Sequence, residues 1–532
     1  MNRRAFHSIR LAFLLIGVAM LVSSAGAGIF PAGPLVQVSG ASPFAACTVD
    51  NVPGQPGAVF LHSEVEPWIE VDPTNALHLV GGWQQDRWSN GGARGNVAGV
   101  SFDGGLTWET VVIPKVTLCS GGTAANGGDF KRATDPWVTF AANGDVYFFT
   151  LSLDIEAPSN RPAGFGKNAM LVSKSEDGGL TWGDPITLIR DEDPKFLNDK
   201  NSITADPFDA DFVYAVWDRL DVPVGTIIHP ELVLGFKGPA MFSRTTNGGQ
   251  SWEPARIIYN PGGNNQTIGN QIVVLPDGTL LNFFNEILNF KNSDKGNMFE
   301  FNLALIRSTN KGATWSQGQP TRAAKMQSLA LFRAFGVVDP DGLAPTGIRT
   351  GDVLFDVAVD LNPGSPGFGN LYAVWQDARF SGFARDEIAF AMSTDGGRTW
   401  SAPVKINQTP SNVPSGNRQA FTPSVHVSAD GIVGVTYYDF RNNTPKPKTL
   451  PTDYFIVHCH QSATISCAKP ANWGNEVQLT DASFDMRKAP FARGFFTGDY
   501  EGLTASGDKL GALFSMPHGA DPASVFFRRV GP

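Results

Sequence analysis

The sequence predicts an all-β fold of repeated four-stranded units, and three observations carry the prediction. An eight-residue turn motif recurs five times, a strand–turn–strand pattern recurs seven times, and the composition suits short strands joined by tight turns. Of 532 residues only 17% are charged while 11% are aromatic, with 58 Gly and 37 Pro. Few charges among so many rings and turn formers fit short strands better than long solvated helices. No long stretch keeps apolar residues at a spacing of 3.6, so the all-β reading leads.

Residues 1–27 stand outside this fold. Arg3, Arg4 and Arg10 form a positive n-region, LAFLLIGVAMLV is an apolar stretch, and Ala25-Gly26-Ala27 is an A-x-A site. These are the three parts of a secretory signal peptide, cut after Ala27. The apolar stretch is short for a membrane span, and no later segment reads as a membrane helix. The RRAF start is similar to a twin-arginine signal, with ordinary export the leading reading. The chain is therefore expected to be secreted or periplasmic. Residues 1–27 hold three arginines and no acid, so the remainder carries a net charge of about −12. That acidity argues against nucleic acid or an anionic membrane as a partner.

Residues 28–532 read as one repetitive domain. The turn motifs are SFDGGLTW (Ser101 to Trp108), SEDGGLTW (Ser175 to Trp182), TTNGGQSW (Thr245 to Trp252), STNKGATW (Ser308 to Trp315) and STDGGRTW (Ser393 to Trp400). The opening Ser/Thr-x-Asp/Asn can hold backbone amides inside a tight turn, and the glycine supplies a positive φ. The closing Trp starts the next strand and buries a large ring against a neighbouring hairpin. Two apolar strands joined by a turn precede each motif, and the same pair recurs twice beyond the last motif; the seven turns fall at Pro73, Asn143, Pro207, Pro276, Pro363, Asp430 and Asp508. Strand, turn, strand, loop, strand, motif, strand makes one four-stranded blade. Radial repetition of such blades, a β-propeller, leaves few open sheet edges.

Seven strand pairs imply seven blades, with a six-blade ring as the alternative. The sixth unit lacks a proper motif, and Cys459, Cys467 and Trp473 are expected in its place. The last unit ends at SVFFRRV, one strand short, so an N-terminal strand from PLVQVSG or GAVFLHS would close the ring. Residues 318–350 read as an insertion whose first part suits a short helix. The four cysteines of an exported chain point to disulfides. Three connectivities exist; proximity favours Cys459–Cys467, leaving Cys47–Cys119.

Alternating strand directions put the motif turns and the turns between first and second strands on one face. The other face gathers Asp86-Arg87, Asp218-Arg219, Asp377 with Arg379, Asp439 with Arg441, and Asn285-Glu286. Entries to first strands add Glu64, Glu66, Arg132, Asp135, Asp199 and Asp499-Tyr500-Glu501. Two readings of the Asp/Arg repeat stand side by side. Each Arg can pair with a carboxylate of its own or a neighbouring blade, or several can face a ligand.

The five motifs are Asp-boxes (BNR repeats), and across its mature length the chain resembles the sialidase (neuraminidase) superfamily and other Asp-box propellers. The resemblance implies a glycoside hydrolase of exo-α-sialidase type acting on an acidic-sugar glycan. Arg87, Arg219, Arg379 and Arg441 would cradle the sugar carboxylate. Tyr500 would be the nucleophile, Glu286 its base and Asp135 the acid. Glu501 is a poorer partner for Tyr500, since neighbours on a regular strand face opposite ways. The F/Y-R-I/L/V-P motif of sialidases is absent, and the nearest early arginine is Arg87 in QQDRW. The alternative is a non-catalytic propeller binding a glycan or a protein on the same face. A monomer without cofactor is expected. The His458-Cys459-His460 run reads as surface rather than as a metal site, and acidic turns such as ADPFDAD, which have the ligands for structural calcium, read as ordinary turns instead.

Overall fold

A computed structural model describes residues 30–155, 165–221, 237–289, 299–329, 336–343, 347–444 and 448–531. The signal peptide expected at 1–27 lies outside the described residues. The fold is all-β. Unit one comprises Glu64–Asp72, Asn75–Arg87, Ala93–Ser101 and Glu109–Val112, and unit two Arg132–Phe140, Val146–Ile155, Phe165–Ser175 and Ile186–Asp191. Unit three comprises Phe196–Ala205, Val213–Asp221, Ala240–Thr245 and Arg256–Tyr259, and unit four Gln266–Val274, Leu280–Asn289, Phe299–Ser308 and Thr321–Lys325. Unit five comprises Phe355–Val359, Leu371–Asp377, Glu387–Ser393 and Val404–Lys405, and unit six Ala420–Val427, Ile432–Asp439, Pro451–His460 and Gly474–Gln478. Unit seven has Gly502–Ser506, Lys509–His518 and Asp521–Val530, completed by Val36–Gln37.

Every unit is an antiparallel meander, and units one and two share one sheet through the pairing of Ala93 with Ala133. The first strand of each unit packs against the first strand of the next, and that of unit seven packs against that of unit one. Val36 pairs with Phe527 and Gln37 with Phe526, so the N-terminal strand comes from PLVQVSG. Where a short helix was expected at the head of the insertion, Thr321–Lys325 is a strand paired with Asn302–Leu305. Without it unit four would expose the edge of Phe299–Ser308, so tertiary pairing overrides the local helical preference.

The eight-residue turns explain their own sequence. Ser101 Oγ accepts the Gly105 amide at 2.9 Å, Asp103 Oδ1 accepts the Thr107 amide at 2.9 Å, and Thr107 Oγ1 donates to Asp103 Oδ2 at 2.6 Å. The same bonds recur in the second and fifth boxes. The fifth box residue is always glycine for two reasons. Gly249, at φ +84°, lies where a Cβ would come within 2.8 Å of the Tyr147 ring of the preceding unit. The closing Trp then packs on an aromatic ring, as Trp315 does on Phe242 and Trp400 on Phe283, at 5.4 and 5.8 Å between centroids. In unit six the Cys459–Cys467 disulfide replaces the box, and Trp473 packs on Phe390 at 4.8 Å. The second disulfide is Cys47–Cys119. Among the described residues no helix is long and apolar enough to cross a membrane.

Candidate functional site

Five first strands break their pairing register at the same place: between Val65 and Trp68, Thr134 and Trp137, Asp199 and Ser202, Ile268 and Gln271, and Phe421 and Ser424. Each bulge holds one residue in the left-handed region: Glu66 (φ 55°), Asp135 (49°), Lys200 (44°), Gly269 (69°) and Thr422 (50°). For residues other than glycine this conformation costs about 1 kcal/mol or more, and it persists where the surroundings impose it. In units one to three the residue so held is charged.

The three charged side chains converge. Lys200 Nζ lies 3.7 Å from both Glu66 and Asp135 and 2.7 Å from Asp499 Oδ2. Asp499 also takes a two-point contact from Arg349, Nε to Oδ1 at 3.2 Å and Nη2 to Oδ2 at 2.6 Å. Gln84 donates to Glu66 and accepts from Arg87 Nη1 at 3.1 Å, linking those two charges. The guanidinia of Arg87 and Arg349 both lie over the Phe496 ring, 5.1 and 4.2 Å from its centroid. Arg493, φ 65°, is close enough to act electrostatically on Arg87 and Asp499. Glu66, Arg87, Asp135, Arg349 and Asp499 are buried, whereas Asp199, Lys200, Arg493 and Tyr500 are half-buried and open the cluster to solvent.

Burial and mutual repulsion spread the acidities of this cluster. Burial pushes the Glu66 carboxyl up to about 8, with Lys200 opposing and Asp135 and Asp499 adding to the rise. Burial and the Asp135 charge carry Asp199 to about 7. Burial also works against the Asp499 charge, yet Arg349 and Lys200 overcome it and hold this carboxyl far below the usual range. Burial and the neighbouring Arg349 lower Arg87 to about 10; burial and Arg87 do the same to Arg493. One small volume thus holds a carboxyl that keeps its proton at neutral pH, one poised near neutrality and one that stays ionised, the separation that acid–base chemistry requires.

Tyr500 belongs to the cluster. Its hydroxyl donates to the Pro136 carbonyl at 3.1 Å, and its ring packs against Trp137 and Trp68 at 5.4 and 6.2 Å. Burial, then the charges of Glu66, Asp135 and Asp499, push its phenol well above its ordinary value. Glu501, one residue on, turns away to Tyr438 Oη and the Ser515 amide, both at 3.0 Å.

Of the residues singled out in the sequence, Tyr500, Asp135 and Arg87 meet here, together with Glu66, Asp199 and Asp499 from the strand entries. Glu286 is held elsewhere, accepting from Tyr259 Oη and Arg322 Nε, each at 2.6 Å. The carboxylates acting on Tyr500 are instead Glu66, Asp135, Asp499 and Glu501. Three of the four expected cradle arginines are taken up by carboxylates. Arg219 pairs with Asp191 at 2.8 and 2.5 Å, Arg379 with Asp377 at 2.8 and 2.7 Å, and Arg441 with Asp439 at 2.6 Å and with Glu476. Arg219 and Arg441 also lie flat on Phe196 and Phe455, 3.6 Å from each centroid. Among the two readings of the Asp/Arg repeat, these three follow the pairing one.

Lys200, Arg349 and Arg493 were not singled out. Arg349 lies in the stretch read as an insertion, and Lys200 sits beside the noted Asp199. A signal was present in Glu66-Pro67-Trp68 and Asp135-Pro136-Trp137, equivalent tripeptides whose alignment to the next unit points at Lys200.

No family model matches the chain, and no curated protein matches it. Solved structures are similar in outline. A Penicillium chrysogenum alpha-L-arabinanase complexed with arabinobiose shares 11% identity over 93% of this chain and 98% of that one, with a TM-score of 0.43. A Hadza microbial sialidase shares 13% over 85% and 73%, with a TM-score of 0.43. A leech intramolecular trans-sialidase shares 11% over 94% and 98%, with a TM-score of 0.42. At these values the likeness transfers no residue role to this chain.

Proposed function

We propose that the chain is an exported, monomeric, sialidase-like glycoside hydrolase acting on an acidic-sugar glycan, its seven units forming the blades of one propeller. The observation that carries this reading is the gathering of Arg87, Arg349 and Arg493 beside Tyr500, Glu66 and Asp135. The arginines replace Arg219, Arg379 and Arg441 as the cradle for a sugar carboxylate. Tyr500 Oη attacks the anomeric carbon while its proton passes to Asp135, which is ion-paired with Lys200. As the glycosidic bond breaks, Glu66 gives its proton to the leaving oxygen. Water then attacks the anomeric carbon, giving one proton to Glu66 and its hydroxyl to the sugar, while the departing Tyr500 Oη takes its proton back from Asp135. Glu66 suits the donor role because it retains a proton at neutral pH, and in this scheme it takes the role that the family resemblance implied for Asp135.

The test is release of a fluorescent aglycone from a sialoside and from a hexuronide between pH 4 and 8. Turnover above buffer that falls at least about a hundredfold in Tyr500→Phe supports the reading. No turnover of either acidic sugar overturns it. The second reading, a non-catalytic glycan-binding propeller, is favoured by the Tyr500 hydroxyl already donating to Pro136 and by Arg349 already engaging Asp499. Calorimetric binding of the same sugars without turnover would select it.

A further inference from the structure

We propose that Lys200 is the positioning residue of this site, an ammonium that draws the carboxylates of units one, two and seven to one point and sets which of them carries the proton. Four features of the geometry carry the inference. The first is reach. One Nζ meets Asp499 at 2.7 Å and Asp135 and Glu66 at 3.7 Å, three acids from three different units. The second is the backbone. Lys200 occupies the bulge position that Glu66 and Asp135 occupy in their own units, in the same left-handed conformation. Its amide is committed as well, donating to Asp135 Oδ2 at 3.2 Å and Asp199 Oδ1 at 3.0 Å. A long cation in a strained, half-buried setting would be expelled to solvent unless its charge were needed there.

The third feature is the charge balance. Asp199 from its own strand and Asp218 from the adjacent strand also act on this ammonium or feel it. Arg349 faces Asp499, Arg87 faces Glu66 through Gln84, and Arg493 acts on Arg87 and Asp499. Arg87 and Arg349 also act on Glu66, Asp135 and Asp499, so the acids share a field of several cations, within which the Lys200 ammonium lies 3.7 Å or less from all three. The fourth is asymmetry. Asp499 receives Lys200 at 2.7 Å plus two contacts from Arg349, while Glu66 sees the same ammonium only at 3.7 Å. Opposite charge at these distances favours the carboxylate most where it is nearest, so between Asp499 and Glu66 the proton is left on Glu66. The catalytic consequence rests on the hydrolysis proposed above, but the electrostatic arrangement does not.

The experiment compares Lys200→Met and Lys200→Arg with the unaltered chain in two readouts. Removing the cation raises the proton affinity of every acid it faces. Both limbs of the hydrolysis profile are then expected to move to higher pH in Lys200→Met by about one unit, and to return in Lys200→Arg. A fall in rate with both limbs unmoved would reduce Lys200 to a structural tie and overturn the proposal. The second readout needs no substrate: the pH at which the folded chain unfolds on acidification, followed by tryptophan fluorescence. It is expected to rise by a similar amount in Lys200→Met only, and no difference between the variants would also overturn the inference. If the unaltered chain hydrolyses nothing, the functional reading fails, while the acid-unfolding comparison still decides the role of Lys200. Should Lys200→Met fail to fold, Lys200→Gln takes its place in both readouts.

Discussion

Asp499 and Arg349 face each other across 150 residues of sequence as a two-point ion pair, and both side chains are buried. Removing one partner leaves the other charged in a site with little water, a loss of about 3–5 kcal/mol. Asp499→Asn and Arg349→Met are each expected to lower urea stability by that order. The double variant should lose less than the sum of the two. The native Asp499 carboxyl lies far below its unfolded value, so its contribution is complete above about pH 4 and is lost as the pH falls through the native value. The gap between Asp499→Asn and the unaltered chain should therefore shrink on acidification. A gap that is constant with pH would contradict the pairing.

Gly248 and Gly249 are neighbours in one box, yet they should not tolerate alanine equally. At Gly249 a Cβ would sit 2.8 Å from the Tyr147 ring, with φ at +84°. At Gly248, φ +65°, the nearest atom is Asp211 Oδ1 at 3.8 Å, and the fourth box already places Lys311 there at φ 53°. Gly248→Ala is expected to cost about 1 kcal/mol from backbone strain alone. Gly249→Ala adds a clash and should cost about 3 kcal/mol. Equal midpoints in urea would show that contact with the preceding unit does not decide the residue.

These boxes were legible in the sequence because their bonds are local: Ser101, Asp103 and Thr107 satisfy one another within seven residues. The N-terminal strand was legible because unit seven visibly lacked one. The site was legible only in part. Tyr500, Asp135 and Arg87 were found by residue type and by position at strand ends. Lys200 was missed because a one-residue bulge depends on the pairing of Asp199 with Asp218 and of Ser202 with Val216, which no local pattern records. Arg349 was missed because it reaches Asp499 from outside the repeat. Arg219, Arg379 and Arg441 share the pattern that exposed Arg87; Arg379 and Arg441 pair with Asp377 and Asp439 two residues away, as the sequence allowed, whereas Asp191 beside Arg219 and Glu476 beside Arg441 are neighbours only in space.

The two disulfides should differ in worth by the chain they close. Cys47–Cys119 spans 72 residues and Cys459–Cys467 spans 8. Loop entropy alone assigns them about 4 and about 2.5 kcal/mol. The longer link also anchors the segment that carries Val36–Gln37 to its pairing with Phe526 and Phe527, so its loss loosens unit seven as well. Replacing both cysteines of a pair by alanine should lower the unfolding midpoint more for Cys47 and Cys119. The opposite order would mean that the Trp473 packing beside Cys467, not chain closure, dominates.

Asp386 supplies a pH dependence of opposite sign to that of Asp499. It is fully buried, accepting the Leu329 amide at 2.8 Å and Gln376 Nε2 at 3.3 Å. Burial pushes its carboxyl up to about 8, and the charges of Asp352 and Asp377 add to the rise against those two hydrogen bonds. The unfolded chain releases this proton near pH 4, whereas the folded chain keeps it until about pH 8. Between those values the folded state binds one more proton, so stability declines as the pH rises. The slope from one such group is at most about 1.4 kcal/mol per pH unit. Asp386→Asn keeps an acceptor for Leu329 and removes the titration. It should cost little at pH 5, flatten the decline by up to that slope, and leave the variant the more stable protein at pH 8. Urea unfolding at pH 5, 6.5 and 8 reads all three points, and parallel curves for the two proteins would show that Asp386 ionises in the folded chain at the ordinary pH.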